Sequence, residues 1–159
     1  MQGQFDTEKP DTVAVEARMR LLGISREKAK QQETGTAIGR RIGPGGINID
    51  QHEVLVEANI AHRNYLWAIN VGQQRSASDF SGAGGYDGNE GTDPEYIERC
   101  RRDVRKWKEK RRWILDASPL AMMAFETWVI EDKEAWSLLG ELRLAANALI
   151  RLRKLDKAA

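Results

Sequence analysis

The sequence predicts an all-α protein, a multi-helix bundle with helix-turn-helix-like elements and a Gly-rich central linker. Three observations carry that expectation. Apolar residues recur every three or four positions over most of the chain. Helix-start and helix-stop residues bracket those stretches. No stretch shows the alternating β-branched pattern of a strand.

Taken in order, residues 1–10 read as a flexible tail and residues 11–71 as an N-terminal helical lobe. A short helix begins near Thr12, with Val13, Ala17, Met19, Leu21 and Leu22 apolar, and Gly23 stops it. Ser25 can cap a second helix, "REKAKQQ", because its hydroxyl can accept from a free N–H of the first turn. "TAIGRRI" adds one further turn before the break at "GPGG". Asp50 and Glu53 have capping-box spacing, so a long helix is expected from Asp50. Leu55, Ala58, Ala61, Tyr65, Leu66 and Ile69 mark its inner face, and Gly72 is expected to end it.

Residues 72–93 read as a flexible Gly/Asp-rich loop, and residues 94–159 as a C-terminal helical lobe. Asp93-Pro94 gives an N-cap and first position, since proline lacks only an N–H that would be orphaned there. Ile97, Cys100, Val104, Trp107 and Ile114 form the inner stripe of the helix that follows. Ser118-Pro119 repeats the start pattern before "LAMMAFETWVIED", which is apolar on most faces and so expected at the centre, with Trp128 buried. Residues 133–154 carry the last helical pattern, with Trp136, Leu139, Leu142, Ala146, Leu149 and Leu152 inward.

The chain has 159 residues, 41% hydrophobic and 31% charged, enough to bury a core without staples. One cysteine, Cys100, allows no internal disulfide. The N-terminus lacks the apolar segment of a secretory signal, and no apolar run reaches the roughly 18–20 residues of a membrane span. A soluble cytoplasmic protein is expected.

Chemistry-bearing motifs are scarce. The loop "DFSGAGGYDGNEGTD" lacks the Lys-Ser or Lys-Thr of a phosphate-binding loop and the third glycine of a dinucleotide fingerprint. Counted from Asp87 as a calcium loop, Asn89, Asp93 and Glu98 fall at ligand positions, but Gly91, Thr92 and Pro94 break the pattern. His52 and His62 form no zinc pair, and Cys100 lies on an apolar stripe. No catalytic residue, metal site or cofactor is expected, and the chain is not read as an enzyme.

Charge segregation points elsewhere. Net charge is +1, yet residues 99–112, "RCRRDVRKWKEKRR", hold nine basic and two acidic side chains. Arg101, Arg105, Lys108 and Arg112 share one helix face, opposite Cys100, Val104 and Trp107, an arrangement suited to neutralising phosphates. A solvated face is the plainer alternative. Arg143, Arg151, Arg153, Lys154 and Lys157 form a second basic cluster. "ARMRLLGISREKAKQQ" has the helix, glycine turn and capped second helix of a helix-turn-helix, with Arg26, Lys28 and Lys30 outward as base readers. "AWSLLGELRLAANALIRL" offers a second candidate around Gly140.

"LLGISREKAKQQETGTAIGRRIGPGGINIDQHEVLVEANIAHRNYLWAI" and "WVIEDKEAWSLLGELRLAANALIRL" resemble small, uncharacterised helical prophage proteins of proteobacteria. That resemblance implies a phage or prophage protein in the cytoplasm of a bacterial host, either a transcription regulator or a packaging adaptor. The expectation from sequence is therefore a helix-turn-helix-like protein whose partner is duplex DNA. The alternative is a protein–protein adaptor or assembly factor, a homo-oligomer or the partner of a phage or host protein, using the helices around Trp128 and Trp136.

Overall fold

A computed structural model of the chain describes residues 10–78 and 93–159. The expected tail, Pro10 apart, and residues 79–92 of the glycine-rich loop, with the calcium pattern that starts there, lie outside the described residues. Among the described residues, six α-helices run in the order α1 (Pro10–Leu22), α2 (Arg26–Lys30), α3 (Ile49–Ser78), α4 (Pro94–Ala117), α5 (Ala121–Phe125) and α6 (Leu139–Ala158). Short 3-10 turns occupy Gln32–Gly35, Gly39–Arg41 and Trp136–Leu138, and α5 widens into a π-turn over Glu126–Ile130. Among the described residues there is no strand, only one bridge between Ile42 and Ile47.

The core lies where α3, α4 and α6 pack on one another and on α5. Phe125 and Trp128 are wholly enclosed there, with Leu55, Ile114, Leu142 and Leu149 around them. Trp107 of α4 joins the layers, with its ring 5.8 Å from Phe125 and 4.7 Å from His62. The indole N–H of Trp128 donates to the Ala135 carbonyl at 2.9 Å, so the largest buried side chain leaves no orphaned donor.

Several boundaries follow the expected chemistry. Gly23 takes φ +62° and donates its N–H to the Met19 carbonyl, a left-handed stop for α1. Ser25 Oγ accepts from the Lys28 N–H at 3.4 Å, and Asp93 Oδ1 from the Glu95 N–H at 3.0 Å. Others move. The capping box of α3 is Asn48 and Gln51, not Asp50 and Glu53. Asn48 Oδ1 accepts from the Gln51 N–H at 2.8 Å, and Gln51 Oε1 accepts from the Asn48 N–H at 2.9 Å. Gly72 does not end α3, which continues to Ser78. An interior glycine costs only about 1 kcal/mol.

Ser118 and Pro119 do not start α5. Ser118 ends α4, accepts from the Leu120 N–H at 3.3 Å and donates to Glu141, and α5 begins at Ala121. The last helix begins at Leu139 rather than near 133. The intervening segment is fixed by Asp132 (φ +54°), whose Oδ1 accepts the Ala37 N–H at 2.6 Å. Trp136 is not inward but 57% exposed, lying edge-on to Trp128 and under the Arg41 guanidinium, 4.1 Å from its ring centre.

The "GPGG" break is a tight turn stitched to α6. Ile47 N–H donates to the Arg41 carbonyl at 2.8 Å, and a Cβ on Gly46 would overlap that oxygen, so only glycine fits there. Arg143 of α6 donates to the Gly46 carbonyl at 2.7 Å and to the Gly45 carbonyl at 2.6 Å. Nearby, Glu134 accepts from Arg40 at 3.3 Å and from Arg41 at 3.0 Å. Among the described residues, no helix is long and apolar enough to cross a membrane.

Candidate functional site

The four cations expected on one face of α4 are on one face. Arg101, Arg105, Lys108 and Arg112 are all exposed, while Trp107 (3%) and Ile114 (0%) anchor the opposite side in the core. Val104 and Cys100, expected inward, are half-buried. At 1.5 Å rise per residue, the row from Arg101 to Arg112 spans about 17 Å. Arg105 pairs with Glu98 at 2.8 Å across open solvent, a weak bond. Among the described residues, Arg101, Lys108 and Arg112 make no ion pair.

Four further cations of α4 sit in mixed company. Lys106 and Lys110 line a cleft with Glu57, Asp103, Glu109 and Asp156, so acidic neighbours offset them. Arg99 and Arg102 share a shallow hollow with Glu95 and Glu98. Among the described residues, the α4 cations with no ion pair and no such acidic lining are Arg101, Lys108 and Arg112 of the outward row, and Arg111, which is exposed off that row.

The second basic cluster does not act as a unit. Arg143 is committed to the glycine turn, and Arg153 lies 3.4 Å from both Glu53 and Glu57. Arg151 behaves differently. It lines a cleft of about 340 Å³ with Arg112, Trp113 and Asp116, and so extends the α4 row onto α6. Lys154 and Lys157 are exposed. Sequence spacing along α6 alone could not separate these roles, because the residues that decide them lie on other, distant segments of the chain.

The α1–α2 corner forms with its glycine turn and serine cap, and Arg18 donates to the Ala29 carbonyl at 3.1 Å across it. Arg26, Lys28 and Lys30 are exposed. The helix that carries them is only five residues long and ends at Gln31, which is extended. α2 packs on α1 and on the turn Gln32–Gly35, whereas α4 packs on α3, α5 and α6, so the two basic sets stand on separate elements. The second helix-turn-helix candidate does not form, because α6 runs unbroken through Gly140.

Both histidines are half-buried. Burial lowers the pKa of His62, with Glu126 pulling the other way, and its ring rests on Trp107. Burial likewise lowers that of His52, opposed by Glu33 and Glu53. Among the described residues, no group of three or more His, Cys, Asp or Glu side chains is placed to hold a metal. Trp128 is buried, as expected, and Trp136 beside it is accessible. The contacts that sequence reasoning missed are Asp132 to Ala37 and the Arg40–Arg41–Glu134 clamp. Their only sequence trace is that Arg40 and Arg41 sit just before the glycine turn.

No family model matches the chain, and neither does any curated protein or any solved structure.

Proposed function

We propose that this chain binds duplex DNA as a helix-turn-helix-like regulator of transcription of phage or prophage origin, with most of its affinity coming from phosphate contacts. The observation that carries this is the outward row Arg101, Arg105, Lys108 and Arg112 on a helix locked in place by Trp107 and Ile114. Cations at regular spacing on one helix face can neutralise several phosphates and release their counterions. Arg151, beside Arg112, supports a continuation of the track.

Base reading falls to Arg26, Lys28 and Lys30 at the α1–α2 corner. A five-residue helix is about 7.5 Å long, which covers roughly two base-pair steps of 3.4 Å. Sequence preference from α2 is therefore modest, and the backbone term dominates.

The test is a salt titration of duplex binding. Four phosphate contacts give a log–log slope near −3.6, and two give about −1.8, at roughly 0.9 per contact. Raising salt fourfold should then weaken the wild type about 150-fold, but the Arg105→Glu/Lys108→Glu variant only about 12-fold. Changes at Arg26 or Lys28 should alter preference between sequences and leave the slope alone. No duplex binding by the wild type at low salt would refute the proposal.

A second reading is a protein–protein adaptor or assembly factor. It is favoured by a groove of about 700 Å³ in which Ile42, Ile49 and Val56 lie between Lys28, Glu33 and Glu53, with Ile49 64% exposed. A partner that co-purifies without nucleic acid and is lost on Ile49→Asp would support it.

A further inference from the structure

α1 presents a row of apolar side chains to solvent. Val13, Ala17 and Leu21 are spaced by four residues, and Val13 is 53% and Leu21 81% exposed. The opposite side, with Val15, Arg18 and Met19 half-buried, packs chiefly on α2. A 13-residue helix is marginal in isolation, and α2 offers it only five residues of support. Such a helix gains most of its stability from whatever covers its remaining face.

We propose that a second copy of this chain covers it, with two α1 helices crossing antiparallel about a two-fold axis near Ala17. The charge pattern selects that occupant. Glu16 and Arg20 lie one turn apart on the same flank of the apolar row, and both are exposed. Among the described residues neither makes an ion pair. A two-fold axis across the helix sets each Glu16 against Arg20 of the other copy, so one short sequence complements itself twice. Ala17 at the crossing point lets the backbones approach closely, with Val13 of one copy over Leu21 of the other.

The remaining segments of the chain are poor candidates for the same face. Residues 1–9 bring only Met1 and Phe5 as large apolar side chains, and residues 79–92 bring Phe80 and Tyr86 among five glycines and three acids. The dimer does not rest on DNA binding, and it would present two basic faces on one particle.

Sedimentation equilibrium tests the proposal. The patch is small, so association should be weak and is best followed up to about 1 mM protein. Glu16→Arg alone, and Arg20→Glu alone, each place like charges across the axis and should weaken self-association about tenfold. An equal mixture of these two variants restores opposite charges at both positions and should recover the wild-type affinity as a heterodimer. Leu21→Asp should abolish association. If that variant disturbs α1 itself, the mixing experiment, which keeps the apolar row intact, still decides. A wild type that stays monomeric at 1 mM overturns the proposal. So do single-charge variants that associate like the wild type, or a mixture that fails to recover.

Discussion

Arg143 marks the division between a structural cation and the proposed DNA-binding face, and its replacement tests that division. Its guanidinium donates to two carbonyls of the glycine turn, at 2.7 Å to Gly46 and 2.6 Å to Gly45. Hydrogen bonds from a charged donor each contribute about 1.5–3 kcal/mol when shielded. Here only the bond to Gly46 is partly buried, and water can replace the one to Gly45. Arg143→Ala should therefore cost about 2–3 kcal/mol. The turn depends on this anchor because Gly43 (φ +133°) and Gly45 (φ +76°) impose little rigidity of their own. Ile47, just beyond them, is 1% exposed and must be held in the core. Arg143→Lys, with one compact donor group, should recover about half of the loss. Urea unfolding followed by tryptophan fluorescence gives the stability. The salt slope of duplex binding should match the wild type. A stability change under about 0.5 kcal/mol together with a flatter slope would refute the reasoning. It would return Arg143 to the basic face.

Two further outcomes follow from the core and its clamp. Trp128→Ala should cost about 3–5 kcal/mol, as for other large buried aromatics. Trp128→Phe should cost about 1–2 kcal/mol, mainly for the Ala135 carbonyl it leaves unpaired. Chemical denaturation measures both, and an unchanged midpoint for Trp128→Ala would mean the pocket is not closed. The second outcome concerns pH. Burial alone would raise the Glu134 pKa, but hydrogen bonds from Arg41 and Arg40, and their charges, hold it below its ordinary value of 4.5. A carboxylate depressed in the folded state stabilises fully above its unfolded pKa and loses that contribution as pH falls through the folded one. The stability gap between wild type and Glu134→Gln should thus be widest above pH 4.5 and close at lower pH. A gap that stays constant down to pH 3 would remove the clamp from the stability of the fold.

The helical class, the central position of "LAMMAFETWVIED" and the cation face of α4 were legible in sequence because each rests on local periodicity. The start of α4 was legible for the same reason, since Asp93 and Pro94 act within one turn. What was not legible depends on distant partners. Asp50 and Glu53 match the capping-box pattern as well as Asn48 and Gln51 do. The choice falls two residues earlier because buried Ile47 fixes the entry and Gln51 also donates to Asn147 of α6 at 3.0 Å. Trp136 has the spacing of a core residue, but Asp132 bends the chain before it and leaves it at the surface. Arg143, Arg151 and Arg153 look equivalent along α6. Only the packed structure gives one to a turn, one to the basic face and one to Glu53 and Glu57.

The stitches between the two halves also set a schedule for folding. Ala37 waits for Asp132, Arg41 for Glu134, Gly46 for Arg143, Gln51 for Asn147 and Glu53 for Arg153, sequence separations of 93 to 100 residues. Closing such long loops is slow compared with forming a helix. While the chain is being synthesised, residues 37–53 have emerged but their partners have not, so α3 can become helical with nothing to dock against. α4 can cover part of α3 first, but Gln51 and Glu53 meet Asn147 and Arg153 only once α6 has left the ribosome. Deleting the last turns of α6 should therefore lower the soluble yield more than it lowers the helix content of whatever is recovered.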